Sequence, residues 1–463
     1  MQSQESPWEF GAGDWSSGKH TEQSVVVRRM RLISFMFALS LGAVLTSADE
    51  AADRNWPQWR GPRATGVAPH ADPPVEWSET KNVVWKVEIP GRGSSSPVIW
   101  GDQVFLTTAV PAGPTGPTSH EPRGGVRPRE RHRFIVMAID RATGKVRWER
   151  VAREEIPHEA TQDNGTWASS SAVTDGQLVI ASFESRGIYA YDLKGKPVWQ
   201  VDLGDKKMRN EFGEGSSPAL HGNSLVIVWD HQGESFIVAL DKRTGKELWR
   251  QKREEIDTWS TPLVVEHGGR AQVVVSGMNR VRSYDLESGR LVWHTTGLTM
   301  NVIPSPVAAD GMVFVTSGFR GNSLKAIRLA DARDDITDTP AVAWTLDRDT
   351  PYVPSPLLYD GILYILKSNN GLLTALDAKT GTAHYQAQRL EKVPNVYASP
   401  VGAAGRIYIA GRDGTTAVVR HGRTFEVLAV NTLGDGFDAS PALAGDDIFL
   451  RGYTSLYRIE ARD

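Results

Sequence analysis

The chain has 463 residues, no cysteine, a formal net charge of −3 and 40% hydrophobic residues. The small net charge argues against nucleic-acid binding as a general property. The lack of cysteine excludes disulfides, thiolate metal sites, cysteine nucleophiles and lipid attachment through an N-terminal cysteine. The length suffices for one large domain with a sizeable core.

The start of the chain has the pattern of an export signal. An arginine-rich stretch at 28–31 precedes an apolar run at 32–45, and small residues that a signal peptidase recognises follow. We therefore predict a signal peptide at 30–48 and a periplasmic or cell-envelope location. Residues 1–29 are expected to be disordered or a misassigned start. The apolar run is too short to span a bilayer comfortably, so an uncleaved anchor is the weaker alternative, and we expect no transmembrane span in the mature chain.

A small-residue pair that leads into an apolar strand recurs eight times, at Ser96-Pro97, Ser171-Ala172, Ser217-Pro218, Thr261-Pro262, Ser305-Pro306, Ser355-Pro356, Ser399-Pro400 and Ser440-Pro441. After the first, the intervals are 41–50 residues. A period in this range with several short strands per unit is typical of a β-propeller blade. The first interval is longer because of an insertion at 111–133. The repeat therefore predicts the fold.

Each unit repeats the same order of elements. Short Gly, Asp or Asn turns join the first two strands, an Ala-x-Asp pattern ends the third strand, and a Thr-Gly or Ser-Gly turn follows. We expect that aspartate to accept hydrogen bonds from the turn. The fourth strand is centred on an aromatic residue that should wedge between its own sheet and the next, namely Trp148, Trp199, Trp249, Trp293, Trp344, Tyr385 and, in the seventh unit, Phe425.

The two ends of the repeat region complement each other. The unit that begins at Ser440 has no Trp strand, whereas residues 83–87 form a Trp strand with no unit before it. Pairing the two predicts an all-β, eight-bladed β-propeller of four-stranded antiparallel blades over 83–463, closed by the N-terminal strand on the last blade. Trp85 should then lie near Tyr457. Residues 49–82 would form an extended N-terminal strap.

Three features together resemble the pyrroloquinoline quinone (PQQ)-like repeat proteins: the Trp-Pro-x-Trp-x-Gly segment at 56–61, the Ser-Pro strand starts and the Ala-x-Asp-x-x-Thr-Gly-x-x-x-Trp units. The resemblance covers about residues 55–463. That family of eight-bladed propellers includes the quinoprotein alcohol dehydrogenases and the outer-membrane assembly factor BamB. It therefore implies the fold without deciding between an enzyme and a binding protein.

The resemblance leaves three functions open. The first is a non-catalytic propeller of the cell envelope, similar in kind to BamB, which binds a protein or an envelope polymer. The second is a PQQ- and calcium-dependent oxidoreductase acting on an alcohol or a sugar. The third is a carbohydrate-binding propeller. No stretch matches the family's catalytic motif, so we assign no catalytic residue, no resident cofactor and no metal, and we expect a monomeric non-enzyme.

Blade geometry indicates where function should lie. The first-to-second and third-to-fourth turns of each blade share one face, and here they are short. The remaining loops share the other face and are long and varied, as binding loops on a rigid scaffold are. Candidate binding residues on these loops are Arg92, Asn164, Trp167, Arg209, Glu211, Asp257, Trp259 and Asn301.

Each candidate also has a purely structural interpretation. The loop oxygens of Glu211, Asp257 and Asn164 would suit calcium, although such groups more often cap turns. Trp167 and Trp259 would stack on a planar ligand, although packing between blades is the interpretation we favour. Arg92 would meet an anion in the central channel or pair with a neighbouring carboxylate. The arginine-rich insertion is expected to be a mobile, solvated loop.

Overall fold

A computed structural model describes residues 50–113, 120–121, 125–126 and 130–461. The predicted signal peptide at 30–48, the segment 1–29 and much of the insertion at 111–133 lie outside these residues. Within the described part of the chain, no helix has the length and apolar character needed to cross a membrane.

The strands form eight antiparallel sheets of four strands each, the blades. Blade 1 contains β2 (Val98–Trp100), β3 (Gln103–Pro111), β6 (His132–Asp140) and β7 (Val146–Glu155). Blade 2 contains β8 (Val173–Thr174), β9 (Leu178–Ser182), β10 (Ile188–Asp192) and β11 (Pro197–Val201). Blade 3 contains β12 (Ala219–His221), β13 (Ser224–Trp229), β14 (Phe236–Asp241) and β15 (Glu247–Lys252). Blade 4 contains β16 (Leu263–His267), β17 (Arg270–Val275), β18 (Val281–Asp285) and β19 (Leu291–Thr295).

The second half of the ring repeats the pattern. Blade 5 contains β20 (Val307–Ala309), β21 (Met312–Ser317), β22 (Ser323–Arg328) and β24 (Val342–Leu346). Blade 6 contains β25 (Leu357–Tyr359), β26 (Ile362–Leu366), β27 (Leu372–Asp377) and β28 (Ala383–Arg389). Blade 7 contains β29 (Val401–Ala403), β30 (Arg406–Ala410), β31 (Thr415–Arg420) and β32 (Val427–Thr432). Blade 8 contains β33 (Ala442–Ala444), β34 (Asp447–Arg451), β35 (Ser455–Glu460) and β1 (Val83–Glu88).

Short elements lie in the connecting loops. A hairpin of β4 (His120–Glu121) and β5 (Gly125–Val126) belongs to the insertion of blade 1, and β23 (Asp334–Asp335) adds a fifth, parallel strand to blade 4. Single 3₁₀ turns occur at Glu184–Arg186 and Arg209–Glu211.

Blade 8 closes the ring as the sequence predicts. Strand β1 pairs antiparallel with β35, and Lys86 lies opposite Tyr457. The first strand of the propeller therefore supplies the outer strand of its last sheet, and β35 is left with no open edge.

The repeated Ser or Thr residues form a closed circle around the propeller axis. The backbone N–H of each one donates to the side-chain hydroxyl of its counterpart in the next blade, at N···O distances of 2.8–3.1 Å. The circle runs from Ser96 through Ser171, Ser217, Thr261, Ser305, Ser355, Ser399 and Ser440, and returns to Ser96. This circle explains why the strand starts require a hydroxyl residue.

The outer-strand tryptophans fasten each blade to the next one. In blade 3, the indole Nε1 of Trp249 donates to the carbonyl oxygen of Leu286 in blade 4 at 2.8 Å, and the ring covers Gly289 of the Ser-Gly turn. We call this arrangement the Trp–Gly latch. It recurs at four further junctions, where the tryptophans are Trp85, Trp148, Trp199 and Trp344.

The aromatic residues predicted for the fourth strands of blades 4 and 7 do not form the Trp–Gly latch. Phe425 precedes β32, and Ala429 occupies the position opposite Val418 where other blades carry the aromatic residue, so the prediction for blade 7 was wrong. Phe425 instead packs edge-on against Tyr385 of blade 6, with 5.5 Å between ring centroids. Trp293 packs between blades 4 and 5 as predicted, but its Nε1 donates to Gln272 of its own blade and not to a turn of the next blade.

The predicted strap crosses the face of short turns. Its Trp56 bridges to Ile99 of blade 1, and Arg60 donates to the carbonyl oxygens of Pro356 and Pro400, in blades 6 and 7, at 2.7 Å each. Trp59 Nε1 donates to the hydroxyl of Ser440 in the circle at 3.3 Å. The strap therefore passes over the propeller axis and closes the channel on this side.

Candidate functional site

A cavity of about 240 Å³ lies on the propeller axis, above the circle of hydroxyls. Each loop that joins one blade to the next carries a residue, two positions before its circle residue, that faces this cavity. All eight of these residues line the cavity, namely Ser94, Ser169, Gly215, Trp259, Ile303, Val353, Tyr397 and Asp438. We call this space the axial cavity.

The wall of the axial cavity carries small side chains on one side and bulky side chains on the other. Ser94, Ser169 and Gly215 come from three consecutive junctions and leave that side open, whereas the next junctions carry bulkier residues. Trp259 is half-buried, and its Nε1 donates to the carbonyl of Gly213 at 2.8 Å, which fixes the ring. A Cβ at Gly215 would lie 3.5 Å from Trp259 Cδ1, so the indole borders the open side.

The floor of the axial cavity is rich in hydrogen-bond donors. Six of the eight circle residues line it, together with Trp59 of the strap. Because each circle hydroxyl already accepts a backbone N–H, its own O–H remains available to donate. The floor therefore favours a ligand with oxygen acceptors.

Two carboxylates reach the axial cavity, and arginines partner both. The Glu214 carboxylate accepts a hydrogen bond from Arg186 at 2.5 Å. Burial raises the pKa of Glu214, but the positive charges of Arg186 and Lys206 have the larger effect together. The pKa of Glu214 therefore lies below its ordinary value. Asp438 contacts Arg412 at 2.6 Å, yet burial dominates and raises its pKa. Among the described residues that line the cavity there is no lysine or arginine. The cavity thus offers little net charge to a ligand.

A wider vestibule of about 670 Å³ lies at the mouth. It shares five lining residues with the axial cavity, namely Ser94, Gln162, Asn164, Phe212 and Asp438. Asn164 Nδ2 donates to the hydroxyl of Tyr397 at 2.9 Å and so links two distant inter-blade loops. The Arg412 guanidinium lies 4.1 Å from the Tyr397 ring centroid. These contacts hold the rim of the mouth in a defined shape.

Three of the predicted site residues form one cluster beside the axial cavity. Arg209 Nε lies 3.2 Å from Asp257 Oδ2, and Arg209 Nη1 donates to Asn301 Oδ1 at 3.4 Å. Asn301 lines the axial cavity, and its φ of 52° shows a left-handed backbone, which asparagine tolerates better than most residues. The cluster supports the wall; Arg209 and Asp257 satisfy each other's charge.

The three residues considered for calcium are engaged separately. Asp257 is held by Arg209, the Asn164 amide points to Tyr397, and Glu211 accepts the backbone N–H of Ala160 at 3.3 Å. No group of three His, Asp or Glu side chains suited to a metal ion occurs within the described ranges. The structure therefore does not assemble these three as cation ligands.

The two loop tryptophans have different surroundings. Trp167 packs against His132, with 4.8 Å between ring centroids, and joins the core between blades 1 and 2, whereas Trp259 lines the axial cavity. Arg92 lies in the vestibule and donates to the carbonyl of Asp163 at 2.9 Å; its charge also lowers the pKa of Asp438, although burial outweighs that effect.

Sequence reasoning did not single out Asp438, Ser94 or Gly215, or choose Tyr397 as a candidate. The signal was present, because these four residues each precede a circle residue by two positions, as do four other lining residues. Counting back from the repeat would have given these eight residues.

Comparison with known proteins agrees with this architecture. The family model described as outer membrane protein assembly factor BamB matches residues 71–236 and 233–463. BamB of Francisella salina is 31% identical over 100 residues, which cover 22% of this chain and 18% of that protein. Tetrathionate hydrolase of Acidithiobacillus ferrooxidans is 24% identical over 286 residues, 57% of this chain and 53% of that one. The matches therefore cover about a fifth of the first relative's length and about half of the second's.

A solved structure shows the same fold. Quinohemoprotein alcohol dehydrogenase from Comamonas testosteroni superposes with a TM-score of 0.59 at 11% identity, covering 89% of this chain and 82% of that one. At this identity the likeness concerns the fold alone. The matched repeats extend over almost the whole propeller, and the chain therefore belongs to the PQQ-like repeat family described as outer membrane protein assembly factor BamB.

Proposed function

We propose that this protein is a non-catalytic propeller of the cell envelope that binds a protein or polymer partner through its loop-rich face. The observation that carries the proposal is the axial cavity, which opens to the loops and is closed below by Trp59 and the strap. A blind, rigid, polar site without a group of metal-ligating side chains among the described residues suits binding better than redox chemistry.

The residues of the axial cavity do not fit PQQ. The quinone is a tricarboxylate, and a buried polyanion needs cationic partners. The described lining provides none, and it already holds the carboxylates of Glu214 and Asp438. The oxidoreductase alternative is therefore the less favoured one.

A reconstitution experiment separates the two functions. The purified full-length protein is incubated with PQQ and calcium, passed through a desalting column and assayed for dye-linked oxidation of ethanol and glucose. We expect no quinone to co-elute and no turnover. A stoichiometric bound quinone with turnover would refute the proposal.

A second experiment tests the face that binds. A benzophenone side chain is introduced at Tyr453, a 47% exposed residue of the vestibule, or at Asp102 in a turn on the opposite face. Irradiation of cells that produce the protein should give adducts from position 453 and none from position 102. Equal labelling from both positions would contradict binding through the loop-rich face.

A further inference from the structure

We propose that the axial cavity binds the terminal, uncharged pyranose ring of a polysaccharide chain. This inference rests on the proposed function and gives its ligand class. It follows from four properties of the cavity: a donor-rich floor, an aromatic wall, the absence of cationic lining residues in the described chain, and closure at the base.

The floor matches the oxygen atoms of a sugar. The circle hydroxyls of Ser96, Ser171 and Ser217 lie below the open side of the cavity, and each has an O–H free to donate because its oxygen accepts a backbone N–H. The amides of Asn301 and Gln162 add groups that both donate and accept. A ligand with several hydroxyl and ether oxygens would satisfy this set.

The wall matches the apolar face of a pyranose. Trp259 takes part in no aromatic pair and in none of the hydrophobic clusters of the described chain, and its half-buried ring lines the axial cavity instead. Its hydrogen bond to Gly213 fixes the ring beside Gly215, where no side chain intervenes. A rigid indole next to an open space is a platform on which the C–H face of a sugar ring can stack.

The charges favour a neutral sugar over a charged one. Glu214 and Asp438 are each held by an arginine, so they attract no cation strongly. Among the described residues no cation lines the axial cavity to compensate a uronic acid inserted there, since Arg92 and Arg412 lie in the vestibule. Burying an uncompensated carboxylate here would be costly.

The closed base selects the end of a chain. Trp59 bonds to Ser440 at the bottom, and the strap continues beneath it to Arg60, whose guanidinium binds carbonyls of two blades. A polymer therefore cannot thread through the axis. It can insert only its terminal residue, while further residues lie in the vestibule beside Tyr453.

The test uses the full-length protein on an array of linear oligosaccharides of glucose, galactose, mannose and N-acetylglucosamine, with charged counterparts that differ only in a uronic acid as the terminal residue. We expect binding to at least one neutral oligosaccharide, weaker binding to the uronic acids, and competition by the free monosaccharide of the terminal residue. The absence of any neutral ligand, or a preference for uronic acids, would overturn the inference.

Matched variants locate the site. Trp259→Ala should weaken binding of the bound oligosaccharide about tenfold or more, and Trp259→Phe should restore part of it. Trp100→Ala, at a half-buried tryptophan beside the turn on the opposite face, should leave affinity unchanged. Because Trp259→Phe keeps a ring in place, unchanged affinity in both Trp259 variants would overturn the site. If sugars fail while adducts still form from position 453, the ligand class is wrong and the proposed function stands.

Discussion

The Trp–Gly latch predicts how much stability the protein loses when Gly289 is replaced by alanine. Gly289 has a φ of +71°, and a Cβ there would lie 2.6 Å from Cδ2 and Cε3 of Trp249. Gly268, in another turn of the same blade, has a similar φ of +58° with no atom within 4 Å of a Cβ. Alanine at either position would adopt a left-handed backbone at a cost of about 1–2 kcal/mol. Gly289→Ala must also displace the indole, which adds about 1–3 kcal/mol of overpacking.

Urea unfolding followed by tryptophan fluorescence checks this expectation. The free energy of unfolding should fall by about 1–2 kcal/mol in Gly268→Ala and by about 2–5 kcal/mol in Gly289→Ala, with similar denaturant slopes. The difference between the two variants isolates the latch, because the backbone cost is common to both. If they lose the same stability to within about 0.5 kcal/mol, the ring does not rest on the turn and the explanation of how blades are fastened fails.

Three further expectations concern charge and closure. Asp230→Asn should lower the free energy of unfolding by about 3–5 kcal/mol, because the fully buried Arg253 guanidinium loses the carboxylate that compensates its charge; denaturant titration measures this. Hydrogen bonds from Arg147 and then Thr143 lower the pKa of Asp140 from its ordinary value of 3.8 to about 2. The ionised Asp140 therefore stabilises the fold above pH 3.8, and this stabilisation is lost as the pH falls toward 2. Melting curves between those pH values should converge for the wild type and Asp140→Asn. Trp85→Ala should cost about 3 kcal/mol by removing the latch between blade 8 and blade 1, and an unchanged melting temperature would contradict it.

The fold was predictable because its determinants are local and repeated. The aspartate that accepts hydrogen bonds from its turn is an example: Asp241 receives the N–H and the hydroxyl of Thr244, as the spacing indicates. Closure of the ring was also predictable, because a lone Trp strand and an incomplete last unit each leave a sheet edge unpaired.

The site was less predictable because it depends on residues brought together from different blades. Asn164 and Tyr397 are 233 residues apart and meet only once the ring has closed. Trp167 and Trp259 have the same residue type in similar loops, yet one packs between blades and the other lines the axial cavity. The difference is their distance from the circle residue, since only Trp259 precedes it by two positions. Phe425 was misplaced because blade 7 puts an alanine where the other blades place the aromatic residue.

The circle of hydroxyl-to-amide bonds has neither a first nor a last member, since Ser440 is linked to Ser96 in the same way as any neighbouring pair. The circle of hydrogen bonds therefore does not depend on the blade at which the polypeptide enters the propeller. A circular permutant that joins the strap to the end of β35 and opens the chain in an exposed outer turn should keep all eight links, and thus the geometry of the mouth above them.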